Sequence, residues 1–162
     1  MRTSGAGASG SPPDRAGLTR APWGTFGSMA ADAEQLVLAV ALPNEPASAA
    51  KARAAIARSF AGLPDDLLED AQLLVSEAVA NAIAHAGAGV DAPIRLSGYL
   101  DGTLARIEVA DEGPGFDPAV ERRGMGSRIF DELSTAWGVD RIRERATTWF
   151  ELDAAARGPS GR

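Results

Sequence analysis

Glu77, Asn81 and His85 stand at four-residue intervals in the run LLVSEAVANAIAHA, which extends from Leu73 to Ala86. On an α-helix that spacing draws one polar stripe along a surface that is otherwise apolar or small. Apolar residues on every side are the pattern of a helix buried nearly all round. A carboxylate there is destabilising unless it finds partners or takes up a proton. A magnesium ion carrying phosphate groups would satisfy the stripe: Asn81 offers a neutral oxygen to a hard cation, and Glu77 stays free to accept a proton. The plainer alternative is a partly solvated helix face, because Glu-x-x-x-Asn is a common string. His85 is the only histidine of the chain. Its plain role is hydrogen-bonded packing; phosphate or metal contact is the sharper one.

Two further segments follow in order. The alternating run Arg106 to Ala110 leads straight into Asp111-Glu-Gly113-Pro-Gly115-Phe-Asp117. An Asp at a strand end can accept a hydrogen bond from a flat ligand's amino group, such as an adenine N6 amine. Gly113 and Gly115 would let the backbone pass close to the ring. A tight turn explains the same string without a ligand. Then Arg123-Gly124-Met125-Gly126-Ser127 precedes an amphipathic run. Glycines before a helix start expose amide donors where the dipole is positive, a place for phosphate, with Arg122 or Arg123 able to add charge at its rim. The third glycine of the dinucleotide fingerprint is missing, and there is no Walker A string.

The elements that must position these residues can be read from the same pattern. Gln35 to Leu42 is a short apolar run ended by Pro43, a strand. Ala47 to Gly62 reads as a helix, and Pro64-Asp65-Asp66 opens a second one that runs to about Ala86. Ile94 to Leu100 and Thr103 to Ala110 are strands joined at Asp101-Gly102. A helix over about 126–136 and strands over 137–143 and 147–153 complete the set. The order β-α-α-β-β-α-β-β predicts an α+β two-layer sandwich, with helices on one face of a mostly antiparallel mixed sheet. Residues 33–153 form the expected domain. The Gly/Ser/Pro-rich stretch 1–32 and the end 154–162 are expected as disordered tails, with Trp23 and Phe26 either incidental or a docking peptide.

At 162 residues the chain suits one core, and 45% hydrophobic with 23% charged residues is ordinary for a soluble protein. A net charge of −6 argues against nucleic acid and anionic membranes as partners. Cysteine is absent, which excludes disulfides and thiolate metal sites. No secretory signal and no apolar run long enough to span a bilayer is visible, so a cytoplasmic location is expected.

Taken in order, the three segments resemble the N, G1 and G2 boxes of the GHKL ATPase superfamily (gyrase, heat-shock chaperone, histidine kinase and mismatch-repair ATPase), whose common domain is the Bergerat fold. The likeness spans about residues 34–152. It rests on SEAVANAIAHA at Ser76–Ala86, VADEGPGFDP at Val109–Pro118, RGMGSRIFDELSTAWGV at Arg123–Val139 and TTWFEL at Thr147–Leu152. Within the superfamily the chain looks most like the small, free-standing anti-sigma factor serine/threonine kinases of actinobacteria. The resemblance implies ATP and Mg2+ as cofactors, Asn81 as metal ligand and Glu77 as general base. It also implies Asp111 as the adenine acid, Gly113 and Gly115 as pocket glycines, and Gly124 and Gly126 as hinges of a lid over the phosphates. His85, Arg123, Met125, Ser127 and Thr147 complete the implied nucleotide-binding set.

One departure stands out. The family places Gly-Thr before its last strand, and the matching pair here is Arg145-Ala146, followed by Thr147. Either Thr147 substitutes by a one-residue shift, or nucleotide affinity falls. The sole histidine lies inside the N box, which sets aside a sensor histidine kinase. The length sets aside the multidomain clamp ATPases. The implied function is therefore an anti-sigma factor that sequesters a sigma factor and phosphorylates a STAS-type antagonist, with a homodimer as a possible assembly. The alternatives are an ATP-dependent binding module without phosphotransfer, and an interaction domain with a dead pocket.

Overall fold

The computed structural model describes residues 34–85, 92–113, 125–142 and 145–156, with backbone alone at 125–127. Trp23, Phe26, Gly115, Arg122, Arg123, Gly124, the stretch 1–32 and residues 157–162 lie outside those described. Eight elements follow in order: β1 (Gln35–Leu42), α1 (Ser48–Ser59), α2 (Asp65–His85), β2 (Ile94–Asp101), β3 (Leu104–Asp111), α3 (Met125–Leu133), β4 (Ala136–Ile142) and β5 (Arg145–Asp153). The strands form one sheet in the order β1-β2-β3-β5-β4. Each recorded pairing is antiparallel, so the sheet is not mixed among the described strands.

Local chemistry explains the element ends. Ser48 Oγ donates to the Pro43 carbonyl at 2.6 Å where α1 begins. Acidic Asp65 and Asp66 open α2, where the helix dipole favours them. The β2–β3 hairpin turns on Gly102-Thr103 rather than on Asp101-Gly102. Gly102 has φ +56° and takes the first central position of a two-residue loop, where the twist of the strands demands a left-handed residue. α3 stops at Leu133 instead of Ala136. The Ser134 hydroxyl reaches back to the Phe130 carbonyl at 2.6 Å and its amide bonds the same oxygen, closing the last turn. Ala154 is not free of the domain: its amide donates to the Thr103 carbonyl at 3.1 Å.

Strand alternation divides the sheet into two faces. Leu38 and Leu42 of β1, Ile94 and Leu96 of β2, Ala105, Ile107 and Val109 of β3, and Phe150 and Leu152 of β5 point to one face. There they meet Ala52 and Ile56 of α1, Leu74, Val75 and Ala78 of α2, and Phe130 of α3. Gly98 shares this face, and a side chain on it would meet the Phe60 ring at 2.7 Å. The other face bears no described helix. On it Arg106 bonds Glu108 at 2.8 Å and Glu151 at 3.0 Å, and its guanidinium lies 4.3 Å from the Trp149 ring centroid.

Candidate functional site

α2 carries Glu77, Asn81 and His85. Its buried positions, among them Ala71, Leu74, Ala78 and Ala82, mark the direction of the core. A step of four residues overshoots a full helical turn by about 40°. The stripe therefore winds from the flank at Glu77 toward the sheet at His85, and all three residues are half-buried. Glu69, Leu73, Ala80 and Ala84 are exposed on the adjoining side, with Leu73 at 44%. α2 is thus open along one side, which corrects the expectation of burial nearly all round. Leucine and alanine conceal such a side in a sequence, because neither residue announces its exposure.

α2 packs on β3 and β5, and β3 ends in Asp111. Its parity is that of Ala105, Ile107 and Val109, so Asp111 belongs to the helix-covered face. The residue is 5% exposed, and its Oδ1 is buried with no hydrogen-bond donor in reach among the described residues. Burial pushes its carboxyl above the ordinary aspartate value, and the charge of the His85 imidazole works against that rise. His85 and Asp111, 26 positions apart in sequence (111 − 85), therefore belong to one electrostatic neighbourhood. Gly113, two residues on, is buried as well.

The cross-strand register decides the question of the threonine. Asp111 stands opposite Ala146, and Ala110 opposite Thr147. Directly opposed residues share a face, so Thr147 belongs to the face away from Asp111; a one-residue shift along a strand reverses the side. Ala146, 1% exposed, offers no hydroxyl. Thr148 does lie on the Asp111 face, opposite Val109 and diagonal to Asp111, and it is 6% exposed. Sequence reading missed Thr148. Counting by twos from the buried Phe150 and Leu152 would have found it.

α3 begins at Met125, so Gly126 lies inside its first turn rather than before it. The backbone amides of Met125, Gly126, Ser127 and Arg128 are then among the four that a helix start leaves without an intrahelical partner. The described residues thus bring the His85 end of α2's stripe to Asp111, with Gly113 two residues on.

A nucleotide suits this set. An acceptor oxygen buried beside bare backbone is complementary to an exocyclic amine on a flat ring. Magnesium suits it in a limited sense: no group of three or more acidic, His or Cys ligands converges among the described residues. Asn81 would then give a magnesium ion one protein oxygen, the rest of its shell coming from the phosphates it accompanies.

The fold is that of a two-layer α+β sandwich. Residues 42–149 match the histidine kinase-like ATPase domain family, and the chain belongs to that family. ATP is thereby its implied ligand. Over 105 residues it is 33% identical to the anti-sigma F factor of Clostridium acetobutylicum, covering 55% of this chain and 73% of that protein. Its fold also superposes on the crystal structure of the RsbU and RsbW domains of a Mycobacterium tuberculosis protein, with a TM-score of 0.59 and 21% identity. That likeness covers 72% of this chain and only 32% of the longer one. Among the described residues no helix is long and apolar enough to cross a membrane.

Proposed function

We propose that the chain is an ATP-binding anti-sigma factor with protein serine/threonine kinase activity, acting on a STAS-type antagonist and sequestering a sigma factor. The single observation that carries the nucleotide half of this reading is the buried, donor-less Oδ1 of Asp111 on the same face as the α2 stripe. The relative's name supports the partner half.

Asp111 Oδ1 would accept the adenine amine, with Gly113 keeping the backbone close and Thr148 as the nearest hydroxyl-bearing residue of that face on β5. Asn81 would give its carboxamide oxygen to magnesium, and the first amides of α3 would face the phosphates. Bound MgATP supplies the phosphoryl group and the charge neutralisation that lets it leave ADP. Glu77 would take the proton that the substrate's Ser or Thr hydroxyl releases as its oxygen bonds to phosphorus. Half-burial of Glu77 suits that role, since the group stays reachable by a partner's side chain.

One observation favours the binding-only alternative. Ala146 stands directly opposite Asp111, where the family resemblance implies a threonine, and this removes a hydroxyl from the pocket. Labelled ATP with magnesium and a STAS-type antagonist decides between the two. Label transferred to a Ser or Thr supports the kinase. Nucleotide-dependent complex formation without label leaves the binding module. Absence of nucleotide binding at millimolar ATP removes both.

A further inference from the structure

We infer that Glu112, held between Arg145 and Arg95, is the positioning residue that fixes Asp111 at the end of β3; this rests on the nucleotide reading above. β3 pairs with β5 as far as Asp111 opposite Ala146. It pairs with β2 as far as Ala110 opposite Arg95. Continued by one step, the register sets Arg145 directly across from Glu112, while Arg95 lies on its diagonal from the other flank. Where the recorded ladders end, side chains take over. Arg145 Nη2 is 3.6 Å from Glu112 Oε1, and Arg95 Nη1 is 3.9 Å from the same oxygen. One carboxylate oxygen thus links β2, β3 and β5 at the end of the sheet where Asp111 sits.

Alternation places Glu112 on the helix-free face, opposite in sense to Asp111. It therefore acts through the peptide the two residues share and not through contact with a nucleotide. Turning that peptide so that Asp111 left its pocket would also carry Glu112 away from both guanidiniums.

Calorimetric ATP affinity and amide hydrogen exchange of the nucleotide-free protein test the inference on Glu112→Gln, Arg145→Gln, Arg145→Lys and the Glu112→Gln/Arg145→Gln double variant. The pairs are half-exposed, so each Gln variant is expected to weaken ATP about two- to fivefold. Exchange should quicken at the Glu112 and Gly113 amides. The double variant should be no worse than Glu112→Gln alone, because that change already removes both pairs, and Arg145→Lys should keep wild-type behaviour. Fully additive losses, or unchanged exchange in Arg145→Gln, would overturn the clamp. A wild type that binds no ATP defeats the nucleotide reading separately. The exchange arm then still decides whether Glu112 holds this segment.

Discussion

At Asp111 the requirements of burial and of charge oppose each other most sharply. Its folded carboxyl is raised above the ordinary aspartate value by burial, with His85 opposing. The sign of the consequence follows from proton linkage. Below the ordinary value both folded and unfolded chains hold the proton, and the group contributes nothing. As pH climbs past it, the unfolded carboxyl ionises first, so stability falls until the folded one ionises too. Asp111→Asn abolishes that fall. We expect it to stabilise the nucleotide-free protein by about 1 kcal/mol at neutral pH and not at pH 3, read by urea unfolding at both. The same variant should weaken ATP by about 10- to 100-fold, since a charged acceptor is lost. Gain of stability with loss of ligand is the signature of a functional residue held at a structural penalty; loss of both would mark Asp111 as a packing residue. Glu77→Ala makes the contrasting prediction: ATP affinity near wild type with phosphotransfer reduced by at least about 100-fold, measured by label transfer. Retained turnover would remove Glu77 as the proton acceptor.

At the scale of elements, the sheet explains both what the sequence disclosed and what it concealed. The strands were legible because β-branched and leucine positions alternate, and α2 because its acidic start and glycine-rich end frame a 3.6-residue period. The failures are those of phase. Thr147 and Thr148 are adjacent and chemically identical, and only the pairing of Asp111 with Ala146 tells which one faces the site. The Arg106 cluster was invisible for the same reason, because Glu151 lies 45 residues away until β3 and β5 pair. The Arg106, Glu108 and Glu151 side chains are 8%, 19% and 11% exposed, so removing the cation strands two partly buried carboxylates. Arg106→Ala is expected to destabilise by about 3 kcal/mol, whereas replacing Arg106, Glu108 and Glu151 together by leucine should cost far less. Equal losses in the two variants, read by denaturant midpoint at constant m-value, would show that the Trp149 stacking and not the ion pairs matters there.

At the scale of the molecule, the proposed site draws on α2, β3, α3 and β5, segments that folding alone brings together. A nucleotide that binds such a site binds the folded chain and not the unfolded one, so its affinity appears as stability. At a free MgATP concentration of 100 times Kd the gain is about 2.7 kcal/mol. For a domain of this size that is a rise in Tm on the order of 10 °C. Asn81→Ala should remove the part of this rise that depends on magnesium, and Asp111→Asn should cut it to about half or less at any metal concentration tested. A substitution such as Ile142→Ser should leave it intact, because Ile142 is 68% exposed at the end of β4 and outside the proposed site. The order of these effects carries the argument. A rise that is as large in Asp111→Asn as in wild type would place the nucleotide elsewhere on the fold. A cooperative wild-type transition that does not move with millimolar MgATP would make the pocket inert, leaving a family member that acts through its surface alone.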